Sequence, residues 1–407
     1  MKAWKTTFTA IFIAETLAIA GFATSMPVIP LYLGDLGVRD PAALKYWAGL
    51  IQSVAGITLA IFAPIWGSMA DSIGKRLMLL RAMYGGAAIV ALMAFATDPW
   101  QLLVLRGLQG CFTGTVAAAT VLVAGRSPAA SLGFALGVLQ MGVSVGNSLG
   151  PLVGGVISDF LGHRAAFIAT GLMLLAAGII IHRNVDDDTV PRSERSAGRT
   201  ILPELGPIFA SPVLVALMAM TFAIQAANSI PAPMLPLFIQ ELIPDASLVG
   251  SATGIVLGAG AAASAVAAVL AGRLSAKWGY ARILFVCLSG GALLSVPQAF
   301  ARDPLELTLY RTVSMLFLGG ALPGVNALIA LHADKGRQGG IYGVTSSVAA
   351  IGMAIGPVIG SMVAAAFGFR AVFIAGAAML AGTVIGGRLV APRLAASGAA
   401  APNEPRA

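Results

Sequence analysis

Apolar residues fill this chain in long blocks, parted by short polar breaks, from one end to the other. A helix needs about 20 apolar residues to cross the hydrocarbon of a bilayer. Twelve blocks have that length, at approximately 8–33, 46–69, 77–97, 100–123, 131–159, 165–182, 209–240, 249–272, 282–300, 305–331, 340–366 and 371–390. The pattern predicts an all-α integral membrane protein with twelve transmembrane helices. The run after Lys2 and Lys5 is too long, and too poor in small residues at a cleavage point, for a signal peptide, so it is expected to stay as the first span.

The pattern also repeats. Gly146 to Gly155 reads GNSLGPLVGG, and Gly352 to Ser361, 206 residues on, reads GMAIGPVIGS. Pro27 and Pro30 return as Pro233 and Pro236 at the same offset. Asp98-Pro99, Arg106, Gly67 and Gly74 return as Asp303-Pro304, Arg311, Gly272 and Gly279 at an offset of 205. A near-constant offset over so many positions implies tandem duplication. The expected domains are a six-helix bundle over 1–182, a cytoplasmic linker over 183–207, a second bundle over 208–390 and a disordered cytoplasmic tail over 391–407. Two similar apolar halves suit a protein that opens a central site alternately to either side of a membrane.

Composition agrees. The chain is 58% hydrophobic and 10% charged, against about 25% charged in a soluble domain, so lipid is the expected solvent for much of its surface. The net charge of +8 does not point to nucleic acid, because no basic patch is interleaved with aromatic residues. Of the 25 Lys and Arg residues, Arg106 and Arg311 fall within spans, and only Arg39, Lys45, Arg164, Arg302 and Arg370 fall on the side opposite the termini. The other 18 share the side of the termini, which the positive-inside rule makes cytoplasmic. Cys111 and Cys287 lie in apolar runs of different halves, and His163, His182 and His332 sit at loop edges. No disulfide, metal site or cofactor is expected from them. No Walker-type loop and no catalytic constellation is present, so neither ATP drive nor enzymatic chemistry is expected.

Among candidate functional residues, Glu15 is the sharpest. It is the only one of 17 acidic residues well inside a span, roughly 12 Å of helix from the end of the first block. Ionisable groups at such depth are costly and usually face a cavity. A carboxyl there can exchange a proton or bind a cation, or it can simply reach the water boundary. Arg106 and Arg311, the basic residues within spans, can pack between helices and bond backbone carbonyls near a kink. Asp71, between Gly67 and Gly74, can accept from the N–H groups that start the next helix, with Lys75 and Arg76 orienting the turn or meeting anionic lipid. In the repeated segments Gly146, Gly150, Pro151, Gly154, Gly155, Gly352, Gly356, Pro357 and Gly360 predict kinked, closely packed helices. Spans 5 and 11 are then expected to pack across the interface between halves and pivot there. A central cavity would draw on Phe22, Gln52, Gln109, Gln140, Met141, Ser144, Phe222, Gln225, Asn228, Arg311, Asn326 and Tyr342. That mixture suits an amphiphile better than a sugar.

Three segments carry a family resemblance. GSMADSIGKR, from Gly67 to Arg76, resembles the loop signature G-x-L-A-D-x-x-G-R-K of the Major Facilitator Superfamily. LLVLRGLQG, from Leu102 to Gly110, resembles its fourth-span pattern, and GNSLGPLVGG resembles the antiporter motif G-x-x-x-G-P-x-x-G-G. Span count places the likeness with the twelve-span drug/proton antiporters, a multidrug efflux family linked to antibiotic resistance. The resemblance implies a proton-coupled exporter of small amphiphilic or drug-like compounds in the bacterial inner membrane, acting as a monomer. It implies that Arg106 and Gln109 assist proton transfer and that Asp71 latches one conformation against the second half. Met69 and Ser72 depart from the loop signature, and Ala276 and Ser314 stand where Asp71 and Gln109 would repeat. Proton chemistry is therefore expected in the first half. Export of a sugar, amino acid, siderophore or other metabolite, lipid flipping, and a non-transporting sensor or scaffold are the alternatives.

Overall fold

The computed structural model describes residues 2–127, 132–186, 211–243, 246–332 and 338–388, and every regular element among them is a helix. The first half holds α1 (Lys2–Thr24), α2 (Val28–Asp35), α3 (Pro41–Ile73), α4 (Lys75–Met93), α5 (Pro99–Phe112), α6 (Thr115–Arg126), α7 (Leu132–Leu161) and α8 (His163–Asn184). The second half holds α9 (Pro212–Ser229), α10 (Leu235–Leu242), α11 (Val249–Trp278), α12 (Tyr280–Ser295) with a 3₁₀ turn Val296–Phe300, α13 (Pro304–Leu318), α14 (Ala321–His332), α15 (Gln338–Phe367) and α16 (Phe369–Arg388). Most of the expected linker and the whole expected tail lie outside the described residues.

Among the described residues, eleven helical stretches are long and apolar enough to cross a membrane. The twelfth expected span, 100–123, is divided into α5 and α6, of 14 and 12 residues. That division is general: expected spans 1, 4, 7 and 10 are not single helices. Spans 1 and 7 break at Ser25–Pro27 and Ile230–Met234, where proline removes a ladder donor. Span 4 breaks at Thr113–Gly114, with Gly114 at φ +122°, and span 10 at Gly319–Gly320. Each break sits at the start of a three-span unit, so the duplicated halves bend alike.

Other punctuation repeats too. Spans 2 and 3, 5 and 6, 8 and 9, and 11 and 12 reverse at Gly74, Gly162, Gly279 and Gly368, all at positive φ, a conformation that glycine adopts without steric cost. Asp98 accepts from Gln101 N at 3.0 Å and Asp303 from Glu306 N at 2.8 Å. Each is an N-cap followed by proline at the first helical position, where its missing N–H costs nothing.

The chain crosses an even number of times, so Lys2 and Arg388 share one face, called here the terminal face, and Asp35, Asp159 and Phe367 reach the far face. One core, around Ile11, Leu79, Met83 and Phe167, fills the first bundle and runs on into the far end of the second at Phe238 and Phe373, and another, around Leu217, Leu284, Leu288 and Leu328, fills the rest of the second. The outside is apolar as well. Phe134, Phe160, Leu293 and Phe367 are 71% to 79% exposed, which water would penalise and lipid does not.

Candidate functional site

Glu15, on α1, is 0% exposed. Thr115 Oγ1 donates to its Oε1 at 2.8 Å, and its Oε2 has no hydrogen-bond partner among the described residues. Thr115 is the first residue of α6, whose N-terminal turn has no side-chain cap. The break in span 4 thus sets a buried carboxyl beside a helix start, where the dipole favours negative charge. Sequence reasoning missed Thr115. The signal was the Thr113-Gly114-Thr115 triplet inside an otherwise apolar run.

Arg106 and Gln109 share one face of α5. Gly110 lets that helix approach α3 so closely that a Cβ there would overlap Thr58 and the Ala55 carbonyl. Close approach brings Gln52 of α3 to the arginine: Arg106 Nη1 donates to Gln109 Oε1, and Nη2 donates to Gln52 Oε1 at 3.1 Å. Arg106 forms no ion pair with Glu15 or any other carboxylate among the described residues. The expected proton-coupling residues therefore form two separate hydrogen-bonded units, one acidic and one basic.

The other expected cavity residues lie on several helices. Gln140 and Met141 are exposed on α7, and Ser144 donates to the Gln140 carbonyl at 3.1 Å. Phe222 is half-buried on α9, Gln225 packs toward Gly352, and Asn326 is exposed on α14. The Tyr342 side chain lies outside what the structure describes. Phe22 is a correction: it leans over Gly86 of α4 and joins the first core, because its face of α1 turns into the bundle. Arg311 and Asn228 line a separate cavity within the second bundle.

The Gly-Pro segments use two faces, one turned into their own bundle and one across the interface between halves. Cβ atoms on Gly146 and Gly150 would lie 2.8 and 2.5 Å from the carbonyl oxygens of Thr16 and Ala20, on α1. Those on Gly352 and Gly356 would lie 2.6 and 2.5 Å from the carbonyls of Phe222 and Ala226, on α9. Gly154 and Gly360 continue the two ridges onto Thr24 and Ile230. Residues four apart share a face, so this ridge seats spans 5 and 11 against α1 and α9 of their own bundles. The next face makes the crossing. Pro151 and Gly155 meet Gly254 and Gly250 of α11, and Pro357 with Ser361 meets Gly49 of α3.

At the far end of the α7–α11 seam, Asp159 accepts from Gly250 N at 2.9 Å and Ser251 N at 2.6 Å. It caps a helix of the opposite bundle. At the α3–α15 seam, Lys45 Nζ donates to the Ala364 carbonyl at 3.2 Å and lies over the Phe369 ring. These contacts all lie toward the far face. On the terminal face, Gly67 and Asp71 end α3 with side chains outside the described set, Gly74 turns the chain, and Lys75 opens α4. Arg76 Nη2 donates to the His182 carbonyl at 2.8 Å, tying the turn to α8 of its own bundle. Arg81 stacks on Trp66, and both donate to the Cys111 carbonyl, a cluster the sequence did not single out.

The profile of the Major Facilitator Superfamily matches residues 11–296 and 217–405. Multidrug resistance protein MdtG of Salmonella typhimurium is 34% identical over 371 residues, covering 91% of each chain. The protein of the same name from Klebsiella pneumoniae is 34% identical over 374 residues, covering 91% of this chain and 90% of its own. Among solved structures, a bacterial homologue of the human lysosomal transporter Spinster superposes with a TM-score of 0.79 at 16% identity, covering 98% of this chain and 99% of its own. The nucleoside transporter NupG superposes at 0.75 with 12% identity, covering 96% and 98%. The duplicated bundles, the divided spans and the sequence relatives lead to one assignment: the chain belongs to the Major Facilitator Superfamily.

Proposed function

We propose that this protein is a proton-coupled secondary transporter that exports small amphiphilic or drug-like compounds by alternating access. It works as a monomer in a bacterial inner membrane, with both termini cytoplasmic and no covalent chemistry. Similarity to multidrug resistance proteins supports the direction and the breadth of substrate. The excess of Lys and Arg on the terminal face supports the orientation. On that orientation the contacts between bundles close the periplasmic side. Asp71 and its turn latch the opposite closure, and the kinked seams of spans 5 and 11 carry the pivot.

The observation that carries the reading is the environment of Glu15. A wholly buried carboxyl with one hydroxyl donor and one unpartnered oxygen is held between the neutral and charged forms by whatever next reaches it. Glu15 gives its proton to the cytoplasm as substrate enters and takes another when the cavity faces outward. Arg106 shapes the field nearby, fixed by its two glutamines. The test is export of ethidium from proteoliposomes under an imposed pH gradient. Glu15→Gln is expected to lose gradient-driven accumulation while retaining ethidium exchange at equal pH. Unimpaired coupling in that variant would remove Glu15 from the mechanism.

A further inference from the structure

Where α1 and α8 pack together, their outer edges leave a groove of about 460 Å³ at the terminal face, a volume that takes a whole ligand and not merely water. Lys5, Thr9, Ala10 and Ile13 of α1 line it, with Ile180 and Asn184 of α8. Residues four apart share a helix face, so Lys5, Thr9 and Ile13 form one stripe and Ile180 and Asn184 another. Both stripes run from polar at the terminal face to apolar deeper in the span, and Lys5 and Ile13 stand about 12 Å apart along the helix. Ile13 is 47% exposed, so the deep end faces outward, where lipid is the solvent. Trp4, half-buried beside Phe8, marks the level of the membrane interface, where tryptophan is favoured.

Charge makes the upper end a place for an anion. The Lys5 ammonium has no hydrogen bond or ion pair among the described residues. It stands in the first turn of α1, the positive pole of that helix. The negative pole at the end of α8 is covered. Arg76 donates to the His182 carbonyl, Arg126 to the Asp186 carbonyl, and the Asn184 side chain to the Ile180 carbonyl. Arg183 is exposed in the same turn, and Asp186, just past α8, is not part of the groove wall. Duplication did not require any of this. Ser211, Val215, Gly386 and Val390 stand where Lys5, Thr9, Ile180 and Asn184 do. α9 begins at Pro212, which matches Thr6, so α1 is one turn longer at the end that carries the lysine.

We propose that this groove holds an anionic phospholipid, with its phosphate on Lys5 and Asn184 and an acyl chain along Ile13 and Ile180. The donors are the Lys5 ammonium and the second amide hydrogen of Asn184, since the Thr9 hydroxyl is already given to the Lys5 carbonyl at 2.9 Å. A zwitterionic choline lipid brings the same phosphate with a cation beside it, which Lys5 repels. The inference stands apart from the exporter reading, because lipid binding is measured without transport.

The test is native mass spectrometry of the full chain in detergent, titrated with dioleoylphosphatidylglycerol or dioleoylphosphatidylcholine. The tightest site is expected to take the glycerol lipid about fivefold more tightly, the effect of one lysine at a charged membrane surface. Lys5→Gln is expected to erase that preference. Lys277→Gln, which removes an exposed base at the terminal end of α11, is expected to keep it. Thr9 is exposed in the middle of the groove, so Thr9→Trp fills the space without disturbing the core and is expected to remove the tightest site for both lipids. Glycerophosphate, a headgroup without chains, is expected to displace neither lipid beyond what chloride does at equal ionic strength. Equal affinity for the two lipids overturns the proposal. So does a preference that survives Lys5→Gln, that falls as far in Lys277→Gln, or that is untouched by Thr9→Trp. Displacement by glycerophosphate would mark a site for free phosphate, and dimers that Thr9→Trp dissociates would mark a seat for a second copy of the chain; either result overturns the lipid.

Discussion

The two bundles share a backbone plan but divide their polar residues between opposite tasks. In the first, Thr115 bonds the Glu15 carboxyl, and Gln52 and Gln109 bond Arg106; the second has Gly320, Thr221, Leu257 and Ser314 where Thr115, Glu15, Gln52 and Gln109 stand. In the second, Asn228, Ser295 and Gln298 gather beside Arg311; the first has Phe22, Val90 and Met93. Meanwhile the glycine ridges of α7 and α15 meet matching atoms: a Cβ on Gly150 or Gly356 would lie 2.5 Å from the carbonyl oxygen of Ala20 or Ala226. Packing positions have stayed duplicated while chemical positions have diverged. On the proposed reading, the half with the acid is the one that handles protons.

The largest effect should come from exchanging the chemical positions. Glu15→Gln is expected to reduce pH-driven ethidium export to the passive leak, while Thr221→Val at the matching site of the second half leaves it intact. Thr221 only returns its hydroxyl to the Leu217 carbonyl of its own helix, at 2.9 Å. Equal losses in the two variants would dissolve the division of labour between halves.

The packing positions should instead respond alike. Gly150→Ala and Gly356→Ala each drive a methyl into a backbone carbonyl, a strain of about 1–3 kcal/mol. Thermal unfolding in detergent is expected to fall by a similar amount in both. A large effect in one half only would show that the ridges are not equivalent.

The arginines should then part in sign. Arg106→Met strands the oxygens of Gln52 and Gln109, a cost of about 1–3 kcal/mol. Arg311→Met relieves a buried charge that has no partner among the described residues, and is expected to stabilise the protein by about 1 kcal/mol. The same unfolding assay reads both, and a shared sign would refute the contrast.

Much of this was legible in the sequence, and the rest was hidden for identifiable reasons. Span number, the duplication and Glu15 all follow from apolarity and its interruption, which the bilayer imposes strictly. The breaks in spans 4 and 10 escaped because an apolar run looks continuous whether or not Gly114 or Gly319 bends it. The Gly-Pro segments were recognised, but a helix has several faces, and a glycine ridge does not say which neighbour it meets. Phe22 was placed in the cavity for its apolar bulk, though its position on α1 faces Gly86. Asp159 drew no notice because an acid near a span end is ordinary. Its significance appears only when Gly155 brings Gly250 beside it.

The two seams between bundles offer the finest comparison. At one, the Asp159 carboxylate holds the first turn of α11; at the other, the Lys45 ammonium holds the last turn of α15 at Ala364. Both place a charge at the helix end whose dipole it complements. Asp159 makes two bonds to backbone N–H groups, whereas Lys45 makes one to a carbonyl and otherwise rests on Phe369. Asp159→Asn keeps the shape and removes the charge, a loss of about 0.3–1 kcal/mol. If the seam opens during transport, that loss favours the far-open state roughly two- to fivefold. Maleimide labelling of Ser251→Cys, with Cys111 and Cys287 replaced by alanine, should accelerate by that factor. Lys45→Met, read by labelling Ser361→Cys, should accelerate less, because the methionine keeps the contact with the ring. Faster labelling at the lysine seam than at the aspartate seam would mean that the cap on α11 is not what holds the far face shut.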